Sequence, residues 1–148
     1  MPLTTAAAHS LALLIFNNTT YANVGDATGL VGSTGVGSLY GALFTADPTT
    51  SGVYTNEANY TGYNASAHPG LARTSGGWTV GTGGAVSNAA ALTFGACTVL
   101  SSTVTFCAII LGAGATPGML SSGTTNSLAV SAGITPSFAI GALTWTLT

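Results

Sequence analysis

The sequence predicts an all-β fold: a single-domain antiparallel β-sandwich, jelly-roll-like, with a short N-terminal helix and a glycine-rich arm. Three observations lead there. Gly, Ala, Ser and Thr together make up more than half of the chain, which favours close approach of backbones over large side-chain cores. Short apolar or alternating runs recur between Gly-rich turns, the pattern of a sandwich or barrel. A length of 148 residues leaves room for one domain and one core. The expected organisation is an N-terminal segment over 1–23, the arm over 24–37 and the β-sandwich over 38–148.

The elements follow in chain order. Ser10 to Phe16, after Ala6 to Ala8, is the one convincing helical stretch, capped by Ser10 and stopped by Asn17-Asn18. The run VGDATGLVGSTGVG (24–37) has too many glycines for a regular element and reads as a mobile loop or arm. It contains no G-x-G-x-x-G, so it is not a dinucleotide fingerprint. Ser38 to Thr45 places Leu39, Gly41 and Leu43 on one face and Tyr40, Ala42 and Phe44 on the other. With neither face polar, that strand is covered on both sides. Asp47-Pro48 starts a turn, and a polar loop runs to about Gly77. Trp78–Val80, a GTGG turn and Ala85–Phe94 form the next strands. Thr103 to Leu111 is a strand broken by Gly112 to Gly118, and Met119–Gly123 and Ser127–Ser131 are two short candidates. At the end Leu143, Trp145 and Leu147 alternate with threonines, giving a half-buried strand with a threonine face.

Charge excludes more than it suggests. The chain has one basic residue, Arg73, and three acidic ones, Asp26, Asp47 and Glu57, so 3% of residues are charged against about 25% in an ordinary soluble domain. The absence of lysine excludes a lysine-containing phosphate loop, Schiff-base chemistry and a counterion-releasing grip on nucleic acid. Mean hydropathy is +0.54, yet the longest apolar stretch, Leu11 to Phe16, is far short of the ~20 residues of a spanning helix. No basic residue precedes that stretch and no convincing cleavage site follows, so neither secretion nor a membrane barrel is expected. Four N-x-S/T sequons, beginning at Asn17, Asn18, Asn59 and Asn64, carry no meaning without export. So little surface charge argues for a protein that lives in an assembly.

Groups able to do chemistry are few. His9, His68, three carboxylates and one arginine are available, with no G-x-S-x-G elbow. Asp47 and Glu57 have the residue types of a glycosidase pair, but a turn-forming Asp and a solvated loop Glu account for them. Neither His nor Cys shows metal-ligand spacing. Tyr54, Tyr60, Tyr63 and Trp78 suggest either a sugar-stacking platform or packing at a subunit interface. Cys97 and Cys107 flank an expected hairpin. A turn at Ser101-Ser102 points them to opposite faces, whereas a three-residue turn, Ser101 to Thr103, sets them across from one another within disulfide reach. No catalytic, cofactor-binding or metal-binding residue is assigned, and Tyr40, Phe44, Trp78 and Trp145 are expected as core or interface anchors.

The segments LYGALFTADPTTSG, EANYTGY, ARTSGGWTV, GGAVSNAAALTF, STVTF and NSLAVSAGITPSFAIGALTWTL, running in order from Leu39 to Leu147, resemble a family of small virion proteins of tailed bacteriophages, often labelled tail fibre. The arm at 24–37 is longer than usual for that family. Its G-Y-A-R stretch is split here, with Tyr63 separated from Ala72-Arg73, so the resemblance assigns Arg73 no role. Phe106-Cys107-Ala108 stands where the family often has His-Phe-Gly. The resemblance implies a non-enzymatic virion structural protein assembled in the host cytoplasm, with other virion proteins, major capsid or tail, as partners. No internal repeat of a fibre shaft is present. Low charge and a flexible arm then favour a capsid-surface decoration or cement subunit, trimeric to match local three-fold positions. The alternative is a tail fibre or tail-tip module that binds a host-surface glycan through the loop at 54–63.

Overall fold

A computed structural model describes residues 2–51 and 54–148. It is mostly β, with antiparallel pairing throughout its long ladders and one substantial helix. No helix among the described residues is long and apolar enough to cross a membrane. The chain groups into two compact units, each built from separate stretches. One comprises 1–38, 71–91 and 138–148, and the other comprises 39–70 and 92–137.

The first unit is organised by helix α1, Thr5–Asn17. It starts earlier than the Ser10 cap expected from sequence, because Thr4 is the N-cap and its hydroxyl accepts the Ala7 N–H at 3.2 Å. Alanines 6 to 8, good helix formers, fill the first turns. Ala8, Ala12 and Phe16, spaced by four, form the buried stripe. Asn18 ends the helix in the left-handed conformation, φ 54°, one that asparagine tolerates. The helix belongs with a three-stranded sheet of β3 (Trp78–Val80), β4 (Ala85–Asn88) and β9 (Thr144–Thr146), with β4 in the middle. Gly84 sits under the helix with φ +77°, and a Cβ there would lie 3.0 Å from that of Ala8. On β9 the alternation holds: Leu143 is buried, Trp145 and Leu147 are half-buried, and the threonines are exposed.

The second unit is organised by β1 (Ser38–Phe44), β6 (Ser102–Ile110) and β7 (Met119–Val130), which lie side by side in that order. Tyr40, Ala42 and Phe44 stand across from Ile110, Ala108 and Phe106, and this face packs with Tyr54 and Met119. The opposite face carries Gly41, where a Cβ would collide with Leu92. The two-sided coverage expected of β1 is therefore present. The chain reaches β2 (Gly70–Ala72) after the loop at 48–69, which is not featureless. It holds α2 (Pro48–Ser51) and a single 3₁₀ turn at Tyr54–Asn56.

Three strand boundaries differ from expectation. Ala85–Phe94 is not one strand but β4 followed by β5 (Leu92–Thr93), with the equally short β8 (Ser137–Phe138) later in the chain. The buried Asn88 breaks the run: its amide donates to Ala90 O and Ala139 O and its Oδ1 accepts the Leu143 N–H, each at 2.8 Å. Met119–Gly123 and Ser127–Ser131 join as the single twelve-residue β7, whose pairing to β6 shifts register between Val104 and Phe106 and between Ile109 and Ile110. The irregularity between Val104 and Phe106 absorbs residues 125–127, within the polar stretch that reads as a break. The expected Cys97–Cys107 hairpin does not form. Cys107 pairs with Leu43 and Gly123 across its two neighbouring strands, Cys97 lies outside the strands, and both thiols are free and buried.

Candidate functional site

In the first unit the glycine-rich arm is tied down rather than loose. Tyr21 and Leu30 exchange backbone hydrogen bonds at 2.9 Å in both directions. The Asp26 carboxylate accepts the Thr28 and Gly29 N–H groups at 2.8 and 3.0 Å, closing the turn between them. Asn18 grips Ser33 by both ends of its amide, at 2.6 and 2.8 Å.

Arg73, the chain's only lysine or arginine, completes the anchorage. Its guanidinium donates to Leu14 O and Ile15 O, each at 2.6 Å, and to Ser33 Oγ at 3.1 Å. The carbonyls are among those a helix C-terminus leaves without intrahelical partners, where a cation is also favoured by the helix dipole. Its own N–H donates to Gly37 O at 3.1 Å, so the arm is held near both ends. Held this way, the arm leaves Val24, Leu30, Val31 and Val36 exposed, Val31 by 63%. Those apolar side chains stand on an ordered loop with no charged group except Asp26.

The aromatic anchors divide by burial. Trp78 is fully buried and meets Phe16 edge-on at 5.3 Å and Trp145 at 5.7 Å between ring centroids. Trp145 is half-buried. In the second unit Phe44 is fully buried and Tyr40 half-buried. His9 donates through Nδ1 to Gly81 O at 2.8 Å, which ties α1 to the turn before β4.

The tyrosines of the 54–63 loop are structural. Tyr60 is buried, and its hydroxyl donates to Gly95 O at 3.0 Å; burial pushes its pKa up to about 12. Tyr54 donates to Pro117 O at 2.8 Å. Tyr63 donates to Glu57 Oε1 at 2.6 Å and accepts the Leu43 N–H at 3.1 Å. With Trp78 buried as well, these four rings do not form an exposed platform for a sugar. Tyr63 also lines a small cavity of about 230 Å³ with Phe94, Pro69 and Thr93.

Glu57 is not the solvated loop residue its surroundings in sequence suggest. Its Oε1 receives both Tyr63 and His68 Nε2, the latter at 2.5 Å, with side-chain exposures of 0% for His68 and 7% for Glu57. His68 Nδ1 donates to Ala113 O at 2.9 Å. Because both ring nitrogens face acceptors, the imidazolium is the form of His68 that satisfies both contacts. Burial opposes that charge, but the bonds to Glu57 and Ala113 and the Glu57 carboxylate outweigh it, so the His68 pKa lies above its ordinary value. Sequence reasoning misses this buried pair because residues eleven apart in an irregular loop have no spacing signature. Asp47, by contrast, does what its sequence suggests: Oδ1 accepts the Thr49 N–H and hydroxyl at 2.9 and 2.7 Å. Among the described residues no three of His, Cys, Asp and Glu come together as a metal site.

A family model described as Gp80, podophage GP4 fiber I protein gp80, matches residues 4–146. No curated protein matches the chain.

Proposed function

The chain belongs to the podophage GP4 fiber I protein gp80 family, and from that premise we propose that it is a non-enzymatic structural subunit of a phage fibre. The observation that carries this reading is the family match, which takes in α1, the arm and every strand. The surface chemistry supports it. An arm fixed by Arg73, Asn18 and Asp26 presents Val24, Leu30, Val31 and Val36 in a chain whose formal net charge is only -2. Such a surface is stabilised by burial against neighbouring virion proteins or further copies of the chain, and preorganised loops bind at lower entropic cost.

Decoration of the capsid, the role that composition favours, relies on the same arm, but the family description names a fibre and takes precedence here. Deleting the gene from a phage that encodes this chain separates the two roles. A fibre subunit predicts particles with intact, heat-stable heads and impaired adsorption. Heads that lose DNA on mild heating, with adsorption of surviving particles unchanged, would assign the protein to the capsid instead.

A further inference from the structure

Strand β7 ends its sheet: β6 pairs with one side, and among the described residues no strand pairs with the other. It is twelve residues long, MLSSGTTNSLAV, without charge or proline. Natural edge strands of this length are ordinarily protected by lysine, proline, inward charge or bulges. Here two bulges are present, and between them Ser121, Ser122, Gly123 and Thr124 form a regular run opposite Ile109, Ala108, Cys107 and Phe106. A Cβ at Gly123 would meet nothing within 4 Å, so the sheet face at this run is uncovered as well.

Two apolar features lie at opposite ends of the same strand. At its start, Tyr54, Pro117, Met119 and Leu120 line a groove of about 470 Å³. Near its end, Leu128 is exposed by 40%. The groove also contains Ser121, whose hydroxyl is buried and has no hydrogen-bond partner among the described residues.

We propose that β7 pairs antiparallel with β7 of a second copy of this chain, about a two-fold axis that passes between Ser122 and Ser122 of that copy. This register sets Ser122 directly opposite Ser122 of the second copy and brings each Leu128 opposite Thr116, at the rim of the other copy's groove. Antiparallel self-pairing is the arrangement in which one strand's apolar end meets its twin's apolar groove, and both contacts form at once by symmetry. The pairing extends the sheet by backbone hydrogen bonds, with side chains fixing register. Charge selects the occupant. Identical strands paired about a two-fold bring like residues close together, so any lysine or glutamate in the regular run would oppose self-pairing; none is there. This contact is independent of where in the virion the protein resides.

The test is the oligomeric state of the full chain by sedimentation velocity over a range of concentrations, for wild type, Ser122→Lys, Ser122→Glu and an equimolar mixture of the two variants. Self-association is expected for the wild type. Each variant alone should associate more weakly, on the order of tenfold, and the mixture should recover, since opposite charges then face each other. Melting of dilute samples reports whether each variant folds, and Gly123→Lys or Gly123→Glu, whose side chain meets open space and lies diagonal to its copy, replaces any variant that does not. A wild type that stays monomeric, or variants that associate as well as the wild type, would overturn the proposal. So would a mixture that fails to recover from two folded, weakened variants.

Discussion

Replacing Glu57 by Gln removes one charge from a buried cluster while keeping its shape, so the consequence can be worked out. In the wild type, Oε1 accepts from Tyr63 and from His68, which also donates to Ala113 O. The amide oxygen of the glutamine still accepts from Tyr63. Without the carboxylate, however, His68 reverts to the neutral ring and keeps its Nδ1 proton on Ala113, so the bond at Nε2 is lost. A hydrogen bond between ionised partners contributes about 1.5–3 kcal/mol. For a chain of this length, a melting-temperature loss of about 3–12 °C follows near pH 6.

The pH dependence is the sharper part of the prediction. The folded-state pKa of His68 is raised, so its contribution is fully present below the ~6.5 of an unfolded histidine. It is lost as pH rises through the higher folded value. Wild-type stability should therefore fall in mildly alkaline solution, Glu57→Gln should show a flatter profile, and the two melting curves should converge. Scanning calorimetry between about pH 6 and pH 9 measures both. Equal melting temperatures at pH 6, or parallel pH profiles, would refute the ion pair as described.

Three further outcomes follow from the same geometry. Arg73→Lys keeps the charge but cannot reach two carbonyls and a hydroxyl with a rigid fork; hydrogen exchange should accelerate across the arm, and stability should drop by about 1–3 kcal/mol in urea unfolding. Trp78→Ala empties a fully buried site against Phe16 and Trp145 and should cost about 3–5 kcal/mol, whereas Trp145→Ala, at a half-buried position, should cost less. Cys97 and Cys107 are both buried, and burial pushes the Cys107 thiol up to about 12. A thiol reagent should consequently label neither in the native protein and both after denaturation.

What is legible in the sequence is what local pattern controls. The threonine-faced final strand, the strand covered on both faces and the Asp47 turn are each set by residues within a few positions of one another. The helix is legible too, but it begins before Ser10, since Thr4 supplies the cap and the alanines ahead of His9 belong to its first turns. What escapes depends on pairing across the chain. Asn88 interrupts a strand because Ala139 and Leu143, about fifty residues later, supply its partners. Arg73 reaches back to the end of α1, so the arm that reads as mobile from its glycines is anchored. Glu57 and His68 meet inside a loop whose composition suggests solvent.

Whether this chain builds a phage fibre is tested most directly by finding the protein in the intact particle. Cryo-electron microscopy of virions with the protein labelled, together with a copy count, gives the answer. A small, fixed number of copies attached at the tail is the expected result. Hundreds of copies distributed over the head would contradict it and make the subunit part of the capsid surface.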